Sequence, residues 1–307
     1  MKKKYAFFIN EFLQDKRLDV AITERFSFIT RSSLKNNIET LSVNKKNQKL
    51  SYKCKLGEEI FFEYDEPQTL ENEDIKPEKI DLNIIYQDQN YLVINKPYGM
   101  VVHPAKGNFS GTLVNALLGL NTDLSDVDKF RPGIVHRIDK ETSGLIIIAK
   151  NNKSHVFLQD LFKNREITKK YKAIVKGYFN EPSILIQNNI GRDPNNRLKM
   201  AVVESGGKYS ETNVTVISRN KEFSYLDIDL LTGRTHQIRV HLSDMGYPII
   251  GDKIYSRKSS KYKDAPLCLV SYSLSFFDIF SNKKLEFAID VPKKMKNILE
   301  QTNSGII

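Results

Sequence analysis

Residues 65–82 constrain the fold of this chain most, because they divide it into two parts. The segment DEPQTLENEDIKPEKIDL contains seven acidic residues, two basic residues and two prolines, and it has few apolar residues. A stretch of this composition cannot bury enough apolar surface to form a core. We therefore predict an acidic linker at 65–82 between a small domain at 1–64 and a larger domain at 83–307.

The charge outside the linker points to an anionic partner. Residues 1–64 hold 13 Lys and Arg against 8 Asp and Glu, and the formal charge of the whole chain is +10. Nucleic acid is the commonest partner of such a basic protein. A solvated lysine-rich surface would carry the same charge, so composition alone leaves both interpretations open.

Cysteine usage and hydropathy predict a cytoplasmic protein without a membrane partner. Cys54 and Cys268 are far apart and have no CxxC neighbour, as is usual in a reducing compartment. No run of residues approaches the roughly 18 apolar residues of a membrane span. The five apolar residues at 5–9 are too few for the apolar region of a signal peptide.

In the small domain, apolar spacing predicts two short helices followed by strands. The apolar residues at helical spacing are Leu18, Ile22 and Phe26 in the first helix and Leu34, Ile38 and Leu41 in the second. Arg31 and Lys35 lie four residues apart, so they share an exposed basic face near the start of the second helix. Short strands are expected at 41–43, 49–53 and 59–63.

The larger domain shows many strand patterns and few helices. The predicted strands lie at 84–86, 91–95, 145–149, 170–179, 212–217, 223–231, 271–277 and 285–289. The strand at 145–149 is rich in isoleucine, as expected of a strand buried on both faces. This pattern favours an α+β fold with a mixed, mainly antiparallel sheet over a doubly wound parallel sheet.

Two polar clusters in the larger domain are candidates for chemistry. Asp139 lies in a loop directly before the buried strand, beside His136 and Arg137. The second cluster follows Arg234, where a helix from about residue 235 would place His236 and Arg239 on one face. Loops held by a rigid strand often carry function.

Several familiar chemistries lack their motifs. The sequence His136-Arg137-Ile138-Asp139 has no glycine-rich loop before it and no DFG after it, which argues against a kinase. The histidines form no HExxH motif, and both GxSxG and the phosphate-binding GxxxxGK[ST] are absent. We therefore expect no metal, and the remaining interpretation is one carboxylate among arginines in a basic protein.

The small domain resembles the S4 RNA-binding domain over about fifty residues. The resemblance rests on the segments RLD, ITRSSLKNNIE, LSVNKKNQK and YKCKLGEEI. It implies that the helix pair binds folded RNA and that Arg17, Arg31 and Lys35 contact phosphates. Such contacts give affinity and little sequence information.

The larger domain resembles the RluA-type pseudouridine synthases. The segments HRIDKETSGLIIIAK, LTGRTHQIRVH and GYPIIGDKIY are similar to that family's motifs, and an S4 domain in front is common in it. Departures are Ile138 where leucine is usual and Val270 where the family has histidine. Residues 94–118 are most similar to the subgroup of large-ribosomal-subunit pseudouridine synthases D.

The resemblance implies a role for each candidate residue and no cofactor. Asp139 would be the catalytic aspartate, Arg239 its basic partner, Tyr171 the aromatic that packs on the target uracil, and Arg137 the residue that displaces the target nucleotide. His136, Arg234 and His236 would contact RNA or line the pocket. Whether Asp139 attacks the sugar, attacks the ring or removes a sugar proton stays open.

The resemblance also implies the substrate, which is 23S rRNA or a precursor of the large ribosomal subunit, with helix 69 as the target. Two alternatives remain open. Related synthases modify tRNA or other rRNA sites, and a protein with this S4-like module could act in ribosome assembly or RNA binding without catalysis.

Overall fold

The computed structural model describes residues 2–26, 29, 31–65, 75–105, 108–196, 199–256, 262 and 265–303. The chain forms two compact units, Met1–Glu71 and Asn72–Ile307. Helices and strands occur in both units, which confirms the predicted α+β class. None of the described helices is long and apolar enough to cross a membrane.

The first unit packs two short helices against a small antiparallel sheet. Its elements are β1 (Lys2–Phe8), α1 (Leu18–Arg25), α2 (Arg31–Asn37), β2 (Ile38–Val43), β3 (Lys46–Asn47) and β4 (Glu59–Asp65). The strand order is β1-β4-β2-β3. Leu18, Ile22 and Leu34 are fully buried in its core, as their helical spacing predicts.

The second predicted helix extends too far toward the C-terminus. It ends at Asn37, and the chain continues directly into β2. Ile38 and Leu41, predicted on the helix, pair instead with Tyr64 and Phe62 of β4. Three apolar residues are a short sample of a helical period, and pairing with β4 outweighs it because β-branched residues such as Ile38 pack well in a sheet.

The second unit is built on one large sheet. Its strands are β5 (Asn83–Gln87), β6 (Tyr91–Lys96), β7 (Ser143–Ala149), β8 (Thr168–Lys176), β9 (Ser183–Arg192), β10 (Met200–Val202), β11 (Lys208–Arg219), β12 (Phe223–Leu230), β13 (Leu269–Asp278) and β14 (Lys283–Ala288). Its helices are α3 (Leu113–Gly119), α4 (Asn152–Asn164), α5 (Gln237–Asp244) and α6 (Lys293–Asn303).

The strand order confirms a mixed, mainly antiparallel sheet. It runs β10-β9-β11-β12-β8-β13-β7-β6-β5, and β14 pairs with β13. Among the described strand pairs of this sheet, β7 with β13 is parallel and the others are antiparallel. Each predicted strand of the larger domain overlaps an observed one, whereas β9 and β10 were not predicted.

The C-terminal part of the predicted linker belongs to the second compact unit. Residues 66–74 of it lie outside the described residues, and residues 75–82 belong to the second unit. Ile75 is buried in an apolar cluster with residues of β6 and β7. The Asn115 amide donates a hydrogen bond to the Lys76 carbonyl. The composition of the segment does not reveal these two contacts, because one buried isoleucine and one backbone carbonyl leave it acidic.

Strands β7 and β13 meet at a glycine. Gly144 pairs with Ser271 of β13 and has a φ of 113°. A Cβ atom on Gly144 would lie 2.2 Å from the Ser271 carbonyl oxygen. Only glycine therefore allows the two backbones to approach this closely, and this contact joins the two halves of the sheet.

The substitution Gly144→Ala is expected to destabilise the second unit by about 3 kcal/mol, because backbone strain and overpacking add. Gly246→Ala is the matched control, since Gly246 has a φ of 86° but no atom within 4 Å of an added Cβ. The control should lose only about 1 kcal/mol. Urea unfolding measures both, and equal losses would contradict the steric argument.

Candidate active site

The loop that carries Asp139 is tied to β7 by a hydrogen bond to Ile147. The Ile147 backbone amide donates a hydrogen bond of 3.0 Å to Nε2 of His136. The His136 ring stacks on Phe162 of α4, with 4.5 Å between the ring centroids. Burial lowers the pKa of His136 to about 3, so the ring is neutral and can accept this hydrogen bond at neutral pH.

A buried lysine fixes the same loop from the other side. Lys96 is fully buried, and its Nζ donates hydrogen bonds to the carbonyl oxygens of Pro97, Met100 and Lys140 at 2.9, 2.9 and 3.2 Å. Burial lowers its pKa to about 7, although the charges of Asp139 and Glu141 oppose this shift. The backbone next to Asp139 is thus held by a side chain from β6.

Arg239 provides the strongest electrostatic feature of the site. Its side chain on α5 is 1% exposed. Its Nε and Nη2 donate to the two carboxylate oxygens of Asp252 at 2.7 and 2.9 Å. Oδ1 of Asp252 also accepts the backbone amides of Ile254 and Tyr255. The pair therefore has the two parallel hydrogen bonds that make arginine–carboxylate contacts strong.

The pKa shifts follow from this geometry. Burial opposes the charge of Arg239, but the hydrogen bonds and charge of Asp252 outweigh it, and the pKa of Arg239 is raised. Burial likewise opposes ionisation of Asp252, but Arg239 and the two backbone amides lower its pKa. Both groups stay charged at neutral pH.

The remaining nitrogen of Arg239 faces two further carboxylates. Its Nη1 lies 3.4 Å from Oδ2 of Asp139 and 3.5 Å from Oε2 of Glu141. Nε2 of His236 lies 3.9 Å from the same Oδ2. The Asp139 side chain is 19% exposed, so it faces Arg239 and His236 on one side and reaches solvent on the other.

A cleft of about 110 Å³ opens beside Asp139. Its lining includes six of the seven candidate residues of the second unit, which are Arg137, Asp139, Tyr171, Arg234, His236 and Arg239. Among the described residues that line it, Asp139 is the one carboxylate. The cleft thus combines a single acidic group with several cationic ones.

The other lining residues have distinct environments. Tyr171 of β8 is 6% exposed, and burial raises the pKa of its hydroxyl to about 12. Arg137 is exposed, and no hydrogen bond or ion pair to a described residue holds its guanidinium. Arg234 is half-buried, and its Nε donates to the Tyr209 carbonyl. The cleft is therefore lined by a buried aromatic side chain and by an exposed guanidinium.

The structure places His136 outside the cleft. It was predicted to contact RNA, but its Nε2 accepts the Ile147 amide and its ring covers Phe162. This geometry gives His136 a role in holding the loop.

Arg17, Arg31 and Lys35 lie in the first unit. The Asp19 carboxylate pairs with Nε of Arg17 at 3.1 Å and with Nη2 of Arg31 at 2.7 Å. The two arginine side chains are 50% and 59% exposed, and Lys35 is exposed. One buried carboxylate thus orients two exposed guanidinium groups.

Three residues of the active site were not predicted from the sequence. Asp252 lies within GYPIIGDKIY, Lys96 lies within 94–118, and Glu141 follows Asp139 by two positions. All three stand in or beside motifs that were singled out. Their contacts with Arg239 and the loop join segments far apart in the chain, so no local pattern reveals them.

The fold and this site place one carboxylate beside the buried Arg239 in a cleft lined by further basic side chains. Comparison with known proteins makes the class specific, since the sequence profile of the RNA pseudouridylate synthase family matches residues 90–244. The chain belongs to this family, and it is an RNA pseudouridine synthase.

Individual relatives agree with this assignment. A Bacillus subtilis protein named uncharacterized RNA pseudouridine synthase YlyB is 41% identical over 84% of this chain and 84% of its own. The ribosomal large subunit pseudouridine synthase D of Borreliella burgdorferi is 38% identical over 91% of this chain and 87% of its own. The solved structure of human RNA pseudouridylate synthase domain containing 4 has a TM-score of 0.56 at 26% identity, covering 72% of this chain and 93% of its own.

The substitution Asp252→Asn is expected to cost about 3 kcal/mol of stability, because it leaves Arg239 buried with its charge poorly compensated. Synthase activity should fall as well, since Arg239 would no longer be fixed. The matched control is Asp290→Asn, which removes a carboxylate that is 94% exposed and paired with Lys296. The control should change the free energy of unfolding by less than about 0.5 kcal/mol. Urea unfolding measures both variants. A similar loss of unfolding free energy in the two would show that the buried pair with Arg239 does not cause the effect.

The buried His136 predicts acid sensitivity. Its pKa is about 3 in the folded protein and about 6.5 in an unfolded chain. Below pH 6.5 or so the unfolded state therefore binds a proton that the folded state does not, and stability falls as the pH falls. His136→Gln keeps an acceptor for the Ile147 amide but cannot titrate.

The loss of unfolding free energy between about pH 7.5 and about pH 5 should be smaller in His136→Gln than in wild type, by about 2 kcal/mol. Urea unfolding at the two pH values measures this. An equal loss in both proteins would show that His136 does not cause the acid sensitivity.

Proposed function

We propose that this synthase converts uridines of 23S rRNA, in helix 69, to pseudouridine, and that Asp139 is its catalytic residue. The observation that carries the role of Asp139 is its place as the one carboxylate among the described residues of the cleft, beside Arg239. The substrate follows from relatives named ribosomal large subunit pseudouridine synthase D, which match 91% or more of this chain at 38% identity.

The reaction needs one carboxylate and no cofactor. The bond between C1′ of the ribose and N1 of uracil breaks, and a bond between C1′ and C5 forms. C5 loses its hydrogen and N1 gains one, so atoms and electrons balance without an oxidant or reductant. A carboxylate can supply the nucleophile or base that these steps require.

The cleft suits a base that has left the RNA stack. Flipping a nucleotide out costs a few kcal/mol, which stacking on an aromatic ring offsets. Tyr171 is the aromatic residue of the cleft, buried and fixed in β8. Arg137 is exposed at the rim, where a guanidinium can fill the space that the flipped base leaves.

The first unit supplies affinity for folded RNA. Arg17 and Arg31 are oriented by Asp19, and Lys35 lies on the same helix as Arg31. Their charges would bind phosphates, and linking this unit to the catalytic unit raises the effective concentration of RNA at the cleft. Arg234 and His236 would contact the target nucleotide from the cleft wall.

The substitution Asp139→Asn should abolish pseudouridine formation and leave RNA binding within about twofold, because it removes the reacting charge and little volume. The measurement is tritium release from RNA labelled at C5 of uracil, with RNA binding measured in parallel. Asp290→Asn is the matched control and should keep full activity. Activity retained by Asp139→Asn would refute the catalytic role.

The substrate is tested in the same assay with three RNAs. Protein-free 23S rRNA, large ribosomal subunits and tRNA are compared at equal uridine concentration. We expect release from a 23S rRNA substrate, in free or subunit form. Release from tRNA alone would refute the rRNA assignment and leave the role of Asp139 intact.

A further inference from the structure

Tyr255 connects the backbone to His236 through its hydroxyl group. The Met200 backbone amide donates a hydrogen bond of 2.8 Å to Oη of Tyr255. The same Oη lies 2.9 Å from Nδ1 of His236. Burial raises the pKa of Tyr255, so the hydroxyl keeps its proton at neutral pH.

These contacts determine where the proton of His236 lies. The tyrosine oxygen accepts the Met200 amide, and Nδ1 of His236 is the acceptor near the hydroxyl hydrogen among the described residues, which favours an O–H directed at Nδ1. Nδ1 is then an acceptor, and the neutral ring carries its hydrogen on Nε2. Burial lowers the pKa of His236, which agrees with a neutral ring. Nε2 is the nitrogen that faces Asp139.

The backbone of His236 adopts a left-handed conformation where α5 begins. His236 precedes α5 in a left-handed conformation with φ 55° and ψ 20°. Residues other than glycine rarely adopt this conformation, and such outliers are concentrated at functional sites. A structural cap does not explain it, because the His236 side chain makes no capping hydrogen bond to α5.

One turn controls both donors that face Asp139. Asp252 holds Arg239, and Tyr255, three residues later, holds His236. The Tyr255 amide itself donates to Asp252, which locks the turn. Arg239 and His236 both approach Oδ2 of Asp139, whereas Oδ1 has no hydrogen-bond donor among the described residues.

We propose that Tyr255 is a positioning residue that keeps His236 as the Nε2–H tautomer, so that the N–H groups of His236 and Arg239 both face Oδ2 of Asp139 and leave Oδ1 as the reacting oxygen. This inference rests on the proposed catalytic role of Asp139. It assigns the turn at 252–255 a function in catalysis in addition to its structural one.

The first test is a double-mutant cycle with saturating RNA. Tyr255→Phe should lower kcat about tenfold, as expected for the loss of one hydrogen bond, and leave KM within about twofold. His236→Gln should lower kcat at least as much. The double variant should be no slower than His236→Gln, because Tyr255 acts through His236.

Tyr86→Phe is the matched control for this cycle. The hydroxyl of Tyr86 in β5 also donates a hydrogen bond, to Asp88 at 2.8 Å. However, β5 is the edge strand at the opposite end of the sheet from β10, which carries Met200. Tyr86→Phe should keep wild-type kcat. The proposal would be overturned if the kcat of the double variant fell by the product of the two single-variant factors. It would also be overturned if Tyr255→Phe kept the wild-type kcat.

The second test does not depend on activity. In protein labelled with ¹⁵N-histidine, NMR shows which ring nitrogen carries the proton, and the His236→Gln spectrum identifies the His236 signals. Wild type should show Nε2–H, and Tyr255→Phe should show a mixture of tautomers. A proton on Nδ1 in wild type would overturn the proposal even if Asp139→Asn is inactive, so the two proposals fail separately.

Discussion

The buried ion pair between Arg239 and Asp252 is the interaction on which the active site depends. Removing two charges from water costs several kcal/mol for each ion, and the pair is tolerated because both oxygens of Asp252 accept hydrogen bonds and all three guanidinium nitrogens face a carboxylate. Asp252 accepts two guanidinium hydrogens and two backbone amides. The guanidinium therefore cannot rotate, and its third nitrogen stays directed at Asp139 and Glu141.

The sheet brings Tyr171 and the loop that carries Asp139 close together. Tyr171 lies on β8, the Asp139 loop enters β7, and β13 lies between these two strands. Lys96 and His136 fasten the loop to its neighbours through backbone groups. The Asp139 carboxylate, although it lies on a loop, is thereby placed with the accuracy of a strand, and such accuracy matters in enzymes because small misplacements lower the rate.

Much of the fold was predictable because buried strands have a strong local pattern. The isoleucine-rich run at 145–149 predicted β7, and the strand patterns at 170–179 and 223–231 predicted β8 and β12. The helix pattern at 34–41 failed because pairing with β4 decided the structure. Motif resemblance supplied Asp139, Arg239 and Tyr171, which line one cleft. Asp252 and Lys96 were not predicted from the sequence, because their roles depend on contacts with residues 13 and 44 positions away.

We propose that Asp139, beside Arg239, is the residue through which this synthase isomerises uridine in 23S rRNA. The most direct test maps pseudouridines by chemical modification and primer extension in 23S rRNA from cells that lack this chain and are complemented with wild type or with Asp139→Asn. We expect pseudouridines in helix 69 that wild type restores and the variant does not. Restoration by the variant, or an unchanged 23S rRNA map without the chain, would contradict the account.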